Sequence, residues 1–337
     1  VLKVDLHSPA DNGKIGYGRA YQETRKALIR LFNGNSDFSI AEKYTGGDIQ
    51  IYFGSARDRY KEHYERKSDR FIIFTMWETT LLPAEIIRNL VDFDELIVPC
   101  QWCKDVYRNN GIDKPIHVVP FGIDSDSWPY MERIRTESHP FTIIWQGTIL
   151  GDRKGGEIVL DIFKKLKLPD SFLILKINPM YSDVHTPFDL MLAPDIHSIG
   201  LQLSQSKLLD LIEQSDLSIF PSHGEGFGLI PLEHMATGLP VIVADNTGMS
   251  QYCNPEYNLP VECKIIPGIY GEWCGQSYQP DVWQIEEYIK WAYENRAEAK
   301  AIGKKGSAWV KENWTYDNTA KILMECLQCP KQLKQTG

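Results

Sequence analysis

No stretch of about 18 consecutive apolar residues occurs in the sequence, so no segment is expected to cross a membrane as a helix. A block of positive charge is missing too: 36 Lys and Arg face 45 Asp and Glu, a net charge of −9. That balance argues against tight, sequence-independent nucleic-acid binding, although it leaves room for a local basic groove. Cysteine is sparse and odd in number, seven residues, which excludes a disulfide-stapled scaffold. Cys100-Gln-Trp-Cys103 and Cys326-Leu-Gln-Cys329 each have the C-x-x-C spacing of half a zinc site, but they lie far apart and outside any Gly-rich knuckle. They read as reduced, structural thiols. No short-period repeat or low-complexity tract is present. The opening Val1-Leu-Lys-Val-Asp-Leu-His7 is too short and too charged for a signal peptide and reads as a first strand, although without an initiating Met a leader can have been removed. Asn313-Trp-Thr315 matches a glycosylation acceptor, which without a secretory signal reads as chance. A cytoplasmic location is expected, with peripheral membrane attachment compatible.

With 43% hydrophobic and 24% charged residues, the 337-residue chain has apolar content for two sizeable cores. Apolar runs bounded by turn residues alternate with helical periodicity. Strands are expected at 2–8, 48–53, 71–75, 95–99 and 116–120, with helices at 18–32, 83–90 and 101–110, the last closed by Gly111. Residues 122–140 hold Pro129 and Pro140 with little periodicity and read as a connection. The alternation then restarts, with strands at 142–147, 172–178, 217–221 and 240–244 and helices at 157–166, 206–214 and 229–237. Helical patterns at 285–294, 297–312 and 316–327 end the chain. The fold class is α/β: two Rossmann-like, doubly wound domains facing each other across a cleft, with strand carboxyl ends lining it. The boundaries read as 1–130, 131–315 and a final helix, 316–337, packing back on the first domain.

The most informative segment runs from Leu217 to Asp245 and reads as one strand–loop–helix–strand unit. Gly224, Gly226 and Gly228 let the backbone turn and approach a ligand. Pro231 suits a first helical turn, and Gly238 with Pro240 stops the helix. The free N–H groups of Phe227, Gly228 and Leu229 and the positive helix end form an anion site suited to a diphosphate. Glu225 sits on the loop beside that anion. Glu233, inside the helix, can face the same cleft, where a carboxylate suits the two hydroxyls of a ribose.

Glu225-Gly-Phe-Gly-Leu-Ile-Pro-Leu-Glu233 is an intact E-G-F-G-x-x-x-x-E, preceded by Pro-Ser and followed by Ala-Thr-Gly-Leu-Pro-Val-Ile. Here the sequence resembles the family-four retaining glycosyltransferases of the GT-B fold, across the whole second domain and weaker parts of the first. The resemblance implies that Glu225 approaches the donor sugar, that Glu233 binds the nucleotide ribose, and that the amides of Phe227 to Leu229 contact sugar or phosphate. It implies retention, with the leaving phosphate helping to deprotonate the acceptor.

Other constellations fit the same chemistry. In Trp145-Gln-Gly-Thr-Ile-Leu-Gly-Asp-Arg153-Lys154, the two cations at a strand's carboxyl end can neutralise a leaving diphosphate. The family often has Arg directly after the first glycine, where this chain has Thr148; an Arg-Lys-Gly variant also occurs, as here. Gly16 and Gly18, in a Gly-rich stretch after the first strand, are expected to cradle donor phosphates, with Tyr17 on the acceptor side; Arg19 can equally be a helix-surface charge. Trp77 and Glu78 resemble the family's W/Y-E-x-x-x-x-P stretch facing the acceptor, where Glu78 could orient a hydroxyl. Val118-Val-Pro-Phe-Gly122-Ile-Asp124 resembles its V-P-x-G-x-D junction, lining the cleft. Lys176 and Asn178, at a strand end, are expected on the nucleotide side, and 245–250 borders the donor. Lys61 to Arg70 is mixed in sign and reads as a solvated face. No Asp-x-Asp stands in a strand-end loop placed for a diphosphate, so no metal and no cofactor is expected. The donor would be UDP- or GDP-linked. The acceptor, a carbohydrate, a lipid-linked sugar or a small molecule, is not readable.

Two other readings use the same cleft. A non-catalytic two-domain nucleotide-sugar or carbohydrate binder would need neither Glu225 nor Lys154 and would show no donor turnover. A Rossmann dehydrogenase would need G-x-G-x-x-G after the first strand, and Tyr21 stands where the third glycine belongs.

Overall fold

The computed structural model describes residues 2–9, 16–32, 38–41, 46–57, 65–134, 136, 138–148, 153–178, 193–268 and 275–328. The apolar runs of the first half form strands buried on both faces, such as β3 (Ile49–Phe53), β4 (Arg70–Phe74) and β5 (Glu95–Val98). Two-sided burial requires helices on both faces, the signature of a parallel sheet. With β1 (Leu2–His7), β2 (Phe38–Ala41) and β6 (Ile116–Val118) they make a six-stranded sheet of order β2-β1-β3-β4-β5-β6. The second sheet also has six strands, in the order β12-β11-β10-β7-β8-β9. Its members are β7 (Phe141–Gly147), β8 (Ser171–Ile177), β9 (Ile196–Ile199), β10 (Leu217–Phe220), β11 (Val241–Ala244) and β12 (Leu259–Val261). Neighbouring strands are parallel throughout both sheets.

The strand order fixes where ligands can bind. In the second sheet the chain builds outward from β7 through β9, returns to β10 and builds the other way. The direction reverses between β7 and β10, and in the first sheet between β1 and β3. At such a switch point the flanking helices lie on opposite faces, leaving a crevice at the strand carboxyl ends. The two doubly wound sheets expected from the alternation are therefore present. Periodicity misses β2, β9 and β12, all short strands at or near sheet edges, where apolar runs are brief and polar or proline residues are tolerated. It also misses the antiparallel hairpin of β13 (Cys263–Pro267) and β14 (Gln276–Pro280).

The helices are α1 (Gly16–Phe32), α2 (Ala84–Asn89), α3 (Gln101–Asn109), α4 (Gly156–Leu166), α5 (Gln205–Glu213), α6 (Leu229–Ala236), α7 (Val282–Glu294), α8 (Arg296–Asn313) and α9 (Tyr316–Gln328). Gly111 ends α3 with φ +82°, a conformation that costs glycine little. The last helix crosses back to the first sheet. Asp317 of α9 meets Arg30 of α1 at 2.8 Å, and Arg70 Nη1 donates to the Leu327 carbonyl at 2.6 Å. Beside the crossing, Ile123 N donates to the Trp314 carbonyl at 2.8 Å, and a Cβ on Gly122 would strike the Thr315 main chain. Gly122 thus serves the crossover.

Arg70 corrects a further expectation. It is not solvated: its guanidinium grips buried Glu95 through Nε at 2.6 Å and Nη2 at 2.9 Å. The same carboxylate meets His117 Nε2 at 2.9 Å. Burial works against the Glu95 charge, but the hydrogen bonds from His117 and Arg70 prevail and hold its carboxyl at about 2. The Cys326 side chain, then Glu95, raise His117 to about 9. Glu95, depressed in the fold, contributes stability that is complete above 4.5 and lost as pH falls toward about 2. His117, raised in the fold, contributes stability that is complete below 6.5 and lost as pH rises through about 9. Denaturant titrations should therefore show a stability decline on the alkaline side that His117→Ala flattens; an unchanged alkaline slope in that variant would contradict the pairing.

Candidate active site

The loops that follow β7 and β10 meet at the second sheet's switch point. Lys154 Nζ makes an ion pair with Glu225 Oε1, Arg153 Nη1 stands 3.4 Å from the same oxygen, and Ser222 Oγ donates to it at 2.8 Å. The two loops are also tied through main chain: the Arg153 carbonyl accepts from His223 N at 2.8 Å and Ser222 Oγ at 3.0 Å, and Arg153 Nη1 donates to the Gly224 carbonyl at 2.5 Å. Trp145 Nε1 donates to the Lys154 carbonyl at 3.1 Å, so the backbone of this cation pair is fixed by the strand before it.

Electrostatics follow from that crowding. Burial alone would raise the Glu225 carboxyl, but the charges of Lys154 and Arg153, with hydrogen bonds from Lys154 and Ser222, bring it down to about 2. Burial lowers Lys154 in spite of Glu225. Glu78, from the loop after β4, faces the cluster with its Oε1 3.9 Å from Arg153 Nη2. Burial raises its carboxyl, opposed by Arg153 and reinforced by Glu225. Three carboxylate and cationic side chains of the second half and one carboxylate of the first thus share a largely buried junction.

The segment expected to border the donor clamps Glu225 from behind. Glu225 N donates to Thr247 Oγ1 at 2.8 Å, and Gly248 N donates to the Glu225 carbonyl at 2.9 Å. Thr247 holds φ +49°, which is rare for a β-branched residue and is the kind of strain that accumulates at functional sites. Gly228 caps α6 at φ +85°, turning the chain so that the first amides of the helix, which have no intrahelical acceptor, open toward the Glu225 loop. Gln146, Lys154, Ser222, Glu225, Gly228 and Leu229 help line a cavity of about 40 Å³ there.

Gly224 and Gly226 have a different reason to be glycine than the turn expected. Neither has positive φ. A Cβ on Gly224 would strike the Glu78 carbonyl, and one on Gly226 would strike the Met76 side chain. They are glycine because the first half lies directly on this loop. Cys100 and Cys103, at the start of α3, both donate Sγ–H to the Gly226 carbonyl, at 3.3 and 3.4 Å. These buried thiols have a packing role in the junction, while Cys329 lies outside the described residues. Phe227 is buried in an aromatic row with Phe121 at 5.2 Å and Trp314 at 6.0 Å between ring centres, so only its main chain can face a ligand.

Several sequence-expected residues are placed otherwise. Gly16 and Gly18 lie in the first turn of α1, not in an open loop, and Gly18 is buried. Gly13 to Ile15 fall outside the described residues. Tyr17 braces the β4 loop, accepting from Met76 N at 3.0 Å and donating to Met76 O at 3.3 Å, so its hydroxyl is spent internally. Trp77 is core, 2% exposed, with Nε1 shared between Thr79 Oγ1 and the Leu81 carbonyl. Of the acceptor-side trio, only Glu78 meets the junction. Lys176 is buried, its Nζ folded back on the Ile177 carbonyl at 2.7 Å and Asn178 Oδ1 at 3.2 Å, and desolvation lowers it to about 8. Lys176 and Asn178 close each other's hydrogen bonds at the end of β8. Glu233 is 3% exposed and pairs with Arg19 Nη1 of α1 at 3.0 Å. Its neighbour His234 bridges Ser218 Oγ at 2.8 Å and Gln146 Oε1 at 3.0 Å, and burial keeps it neutral by lowering it to about 3. Ser222, Thr247 and Arg19 lie in stretches the sequence had marked, but their partners could not be read from it, because distant loops must first be brought together. Among the described residues no group of three or more His, Cys, Asp or Glu side chains is arranged to hold a metal ion.

Two doubly wound sheets and a final helix that crosses back to the first give the GT-B architecture. Residues 149–309 match the model of the family Glycosyl transferases group 1. A putative glycosyltransferase 45 of the Sulfolobus islandicus filamentous virus (isolate Iceland/Hveragerdi) is 26% identical over 168 residues, 47% of this chain and 43% of the viral protein. Glycogen synthase of Mycobacterium tuberculosis (strain CDC 1551 / Oshkosh) is 26% identical over 140 residues, 40% of this chain and 33% of that enzyme. The chain thus spans less than half the length of these curated relatives. Among solved structures, Anabaena HepE in complex with UDP and glucose superposes with a TM-score of 0.68 at 12% identity, over 97% of this chain and 99% of that one. A glycosyltransferase from Rickettsia africae ESF-5 gives 0.68 at 14% identity, covering 96% and 97%.

Proposed function

We propose that this protein moves a hexose or similar sugar from a UDP- or GDP-linked donor to an acceptor hydroxyl, with retention and without a metal ion. The observation that carries the reading is the meeting of Arg153, Lys154 and Glu225 at the switch point, beside the amino-terminal end of α6. Two fixed cations and a helix end supply the positive field that a departing nucleoside diphosphate needs, the part a divalent cation plays elsewhere. In the step, the bond from the anomeric carbon to the diphosphate oxygen breaks and a bond to the acceptor oxygen forms on the same face. The acceptor proton passes to the leaving phosphate oxygen. Glu225, held near 2, stays a carboxylate and cannot act as a general acid, so it stabilises positive charge growing at the anomeric centre. The intact E-x7-E and its flanks support retention. Glu78, whose carboxyl is raised by burial, orients an acceptor carbohydrate, lipid-linked sugar or small molecule from the first half.

A panel of nucleotide sugars, screened by thermal shift with donor hydrolysis followed, tests the reading. At least one UDP- or GDP-sugar should stabilise the protein and be slowly hydrolysed; if none does, the proposal fails. Binding without any turnover would favour the non-catalytic reading. Glu233→Ala should weaken donor binding by about 10- to 100-fold, the worth of hydrogen bonds to a charged group. Unchanged donor affinity in that variant would reject the ribose role.

A further inference from the structure

Glu233 does not stand alone in the cleft wall. Arg19 reaches it from α1, in the other half of the molecule, with Nη1 3.0 Å from Oε1. The guanidinium lies over the ring of Trp128, 5.1 Å from its centre, and Trp128 itself is buried in the connection between the halves. A planar cation stacked on an indole is restrained, and through the Nη1–Oε1 contact it restrains the carboxylate in turn. The second oxygen, Oε2, is buried and makes no hydrogen bond among the described residues. Buried acceptors are almost always satisfied, so an empty one marks the place of a donor that arrives with a ligand. The Tyr316 hydroxyl of α9, close enough to sense the charges of Arg19 and Glu233, is likewise buried without a partner.

We propose that Arg19 is a donor-positioning residue: it orients Glu233 so that Oε2 accepts a ribose hydroxyl of the nucleotide. The proposal rests on the ribose role of Glu233. It adds that ribose recognition is shared between the halves. Because Oε2 is sealed here, a nucleoside enters with the halves parted and is held when Arg19 returns to Glu233.

The groups facing Glu233 give the proposal a pH signature. From α1 come Arg19 and Glu23, and from α9 comes Tyr316; Asp124, on the connection, acts on Tyr316. Burial and Glu23 both favour the protonated carboxyl, and Arg19 opposes them. Burial prevails and the carboxyl stands above its ordinary value, while Arg19, which does not titrate in the working range, opposes that rise at every pH. Without Arg19 the carboxyl protonates more readily and loses acceptor strength at neutral pH, regaining it as pH rises.

Calorimetric titration of wild type, Arg19→Lys and Arg19→Gln with UDP, GDP and their 2′,3′-dideoxy counterparts, from mildly acid to mildly alkaline buffer, tests this. Wild type should prefer the ribonucleotide at every pH. Arg19→Gln should bind it about 10- to 100-fold more weakly at neutral pH, with affinity climbing as pH rises, and should leave the dideoxy affinity unchanged. Arg19→Lys, which keeps the charge but not the planar stacking on Trp128, should fall between. Arg19 is 32% exposed in its side chain, so folding should survive its loss, which thermal unfolding checks. Arg19→Gln binding the ribonucleotide like wild type, or losing both nucleotides equally at every pH, overturns the proposal alone. Failure of wild type to discriminate the two sugars overturns the ribose role of Glu233 and the proposal with it.

Discussion

Lys154→Ala is expected to lower turnover by about 100- to 1000-fold, the usual cost of removing one preorganised group from a developing anion. The variant is a clean one because the structural part of residue 154 is carried by its carbonyl, which accepts from Trp145 Nε1. Glu225 would keep Ser222 at 2.8 Å and Arg153 at 3.4 Å, so the loop after β10 should hold its place. The missing charge is felt most when the diphosphate departs, so kcat should fall more than donor affinity. Single-turnover measurement with a donor chosen from the thermal-shift panel separates the two. A kcat within about threefold of wild type would mean that the leaving group is stabilised elsewhere, against the expectation for preorganised charge.

Gly224→Ala should be comparably damaging for a mechanical reason. Its added methyl would meet the Glu78 carbonyl of the opposite half. A main-chain oxygen cannot swing aside, so the halves must part locally, separating Glu78 from Arg153 and Glu225. Displacements near 1 Å in a reacting constellation can cost about 100-fold, and a loss of that size in kcat/KM is expected. The halves share a buried cluster through Phe121 and Phe227, so the thermal midpoint should fall as well, and small-angle scattering should report a more open particle. Gly200→Ala is the matched control, since nothing lies within 4 Å of a Cβ there. Full activity in Gly224→Ala would show that the contact between the halves is not needed for catalysis.

The sequence made both sheets legible through their central strands. A run such as Phe141–Gly147, buried at every position, can only be the middle of a two-sided sheet. Of the edge strands only β6 was legible; Ile196–Ile199, for one, exposes its two central residues and so carries no apolar run. The Glu225-to-Glu233 loop was legible because all its parts are local: the strand, the cap at Gly228 and the helix follow one another in the chain. Trp77 and Tyr17 were misread because an aromatic side chain beside a cleft motif gives no sign of which way it points. Burial of a large ring, with its polar atom satisfied inside, won over exposure to an acceptor. Arg70 was misread because its sequence neighbours are charged, whereas its partner, Glu95, comes from the adjacent strand.

What the sequence determined by itself was the order of elements, the Gly-rich turn at Glu225 and the chemical types gathered there, since these depend on residues close along the chain. What only the tertiary structure decided was which distant groups share the site. The reversal of strand order between β7 and β10 brings Lys154 to Glu225. The seating of one half on the other makes Gly224 a contact, sets Glu78 against Arg153 and joins Arg19 to Glu233. Those pairings rest on charge and close packing across large separations in the chain, and no local pattern specifies them.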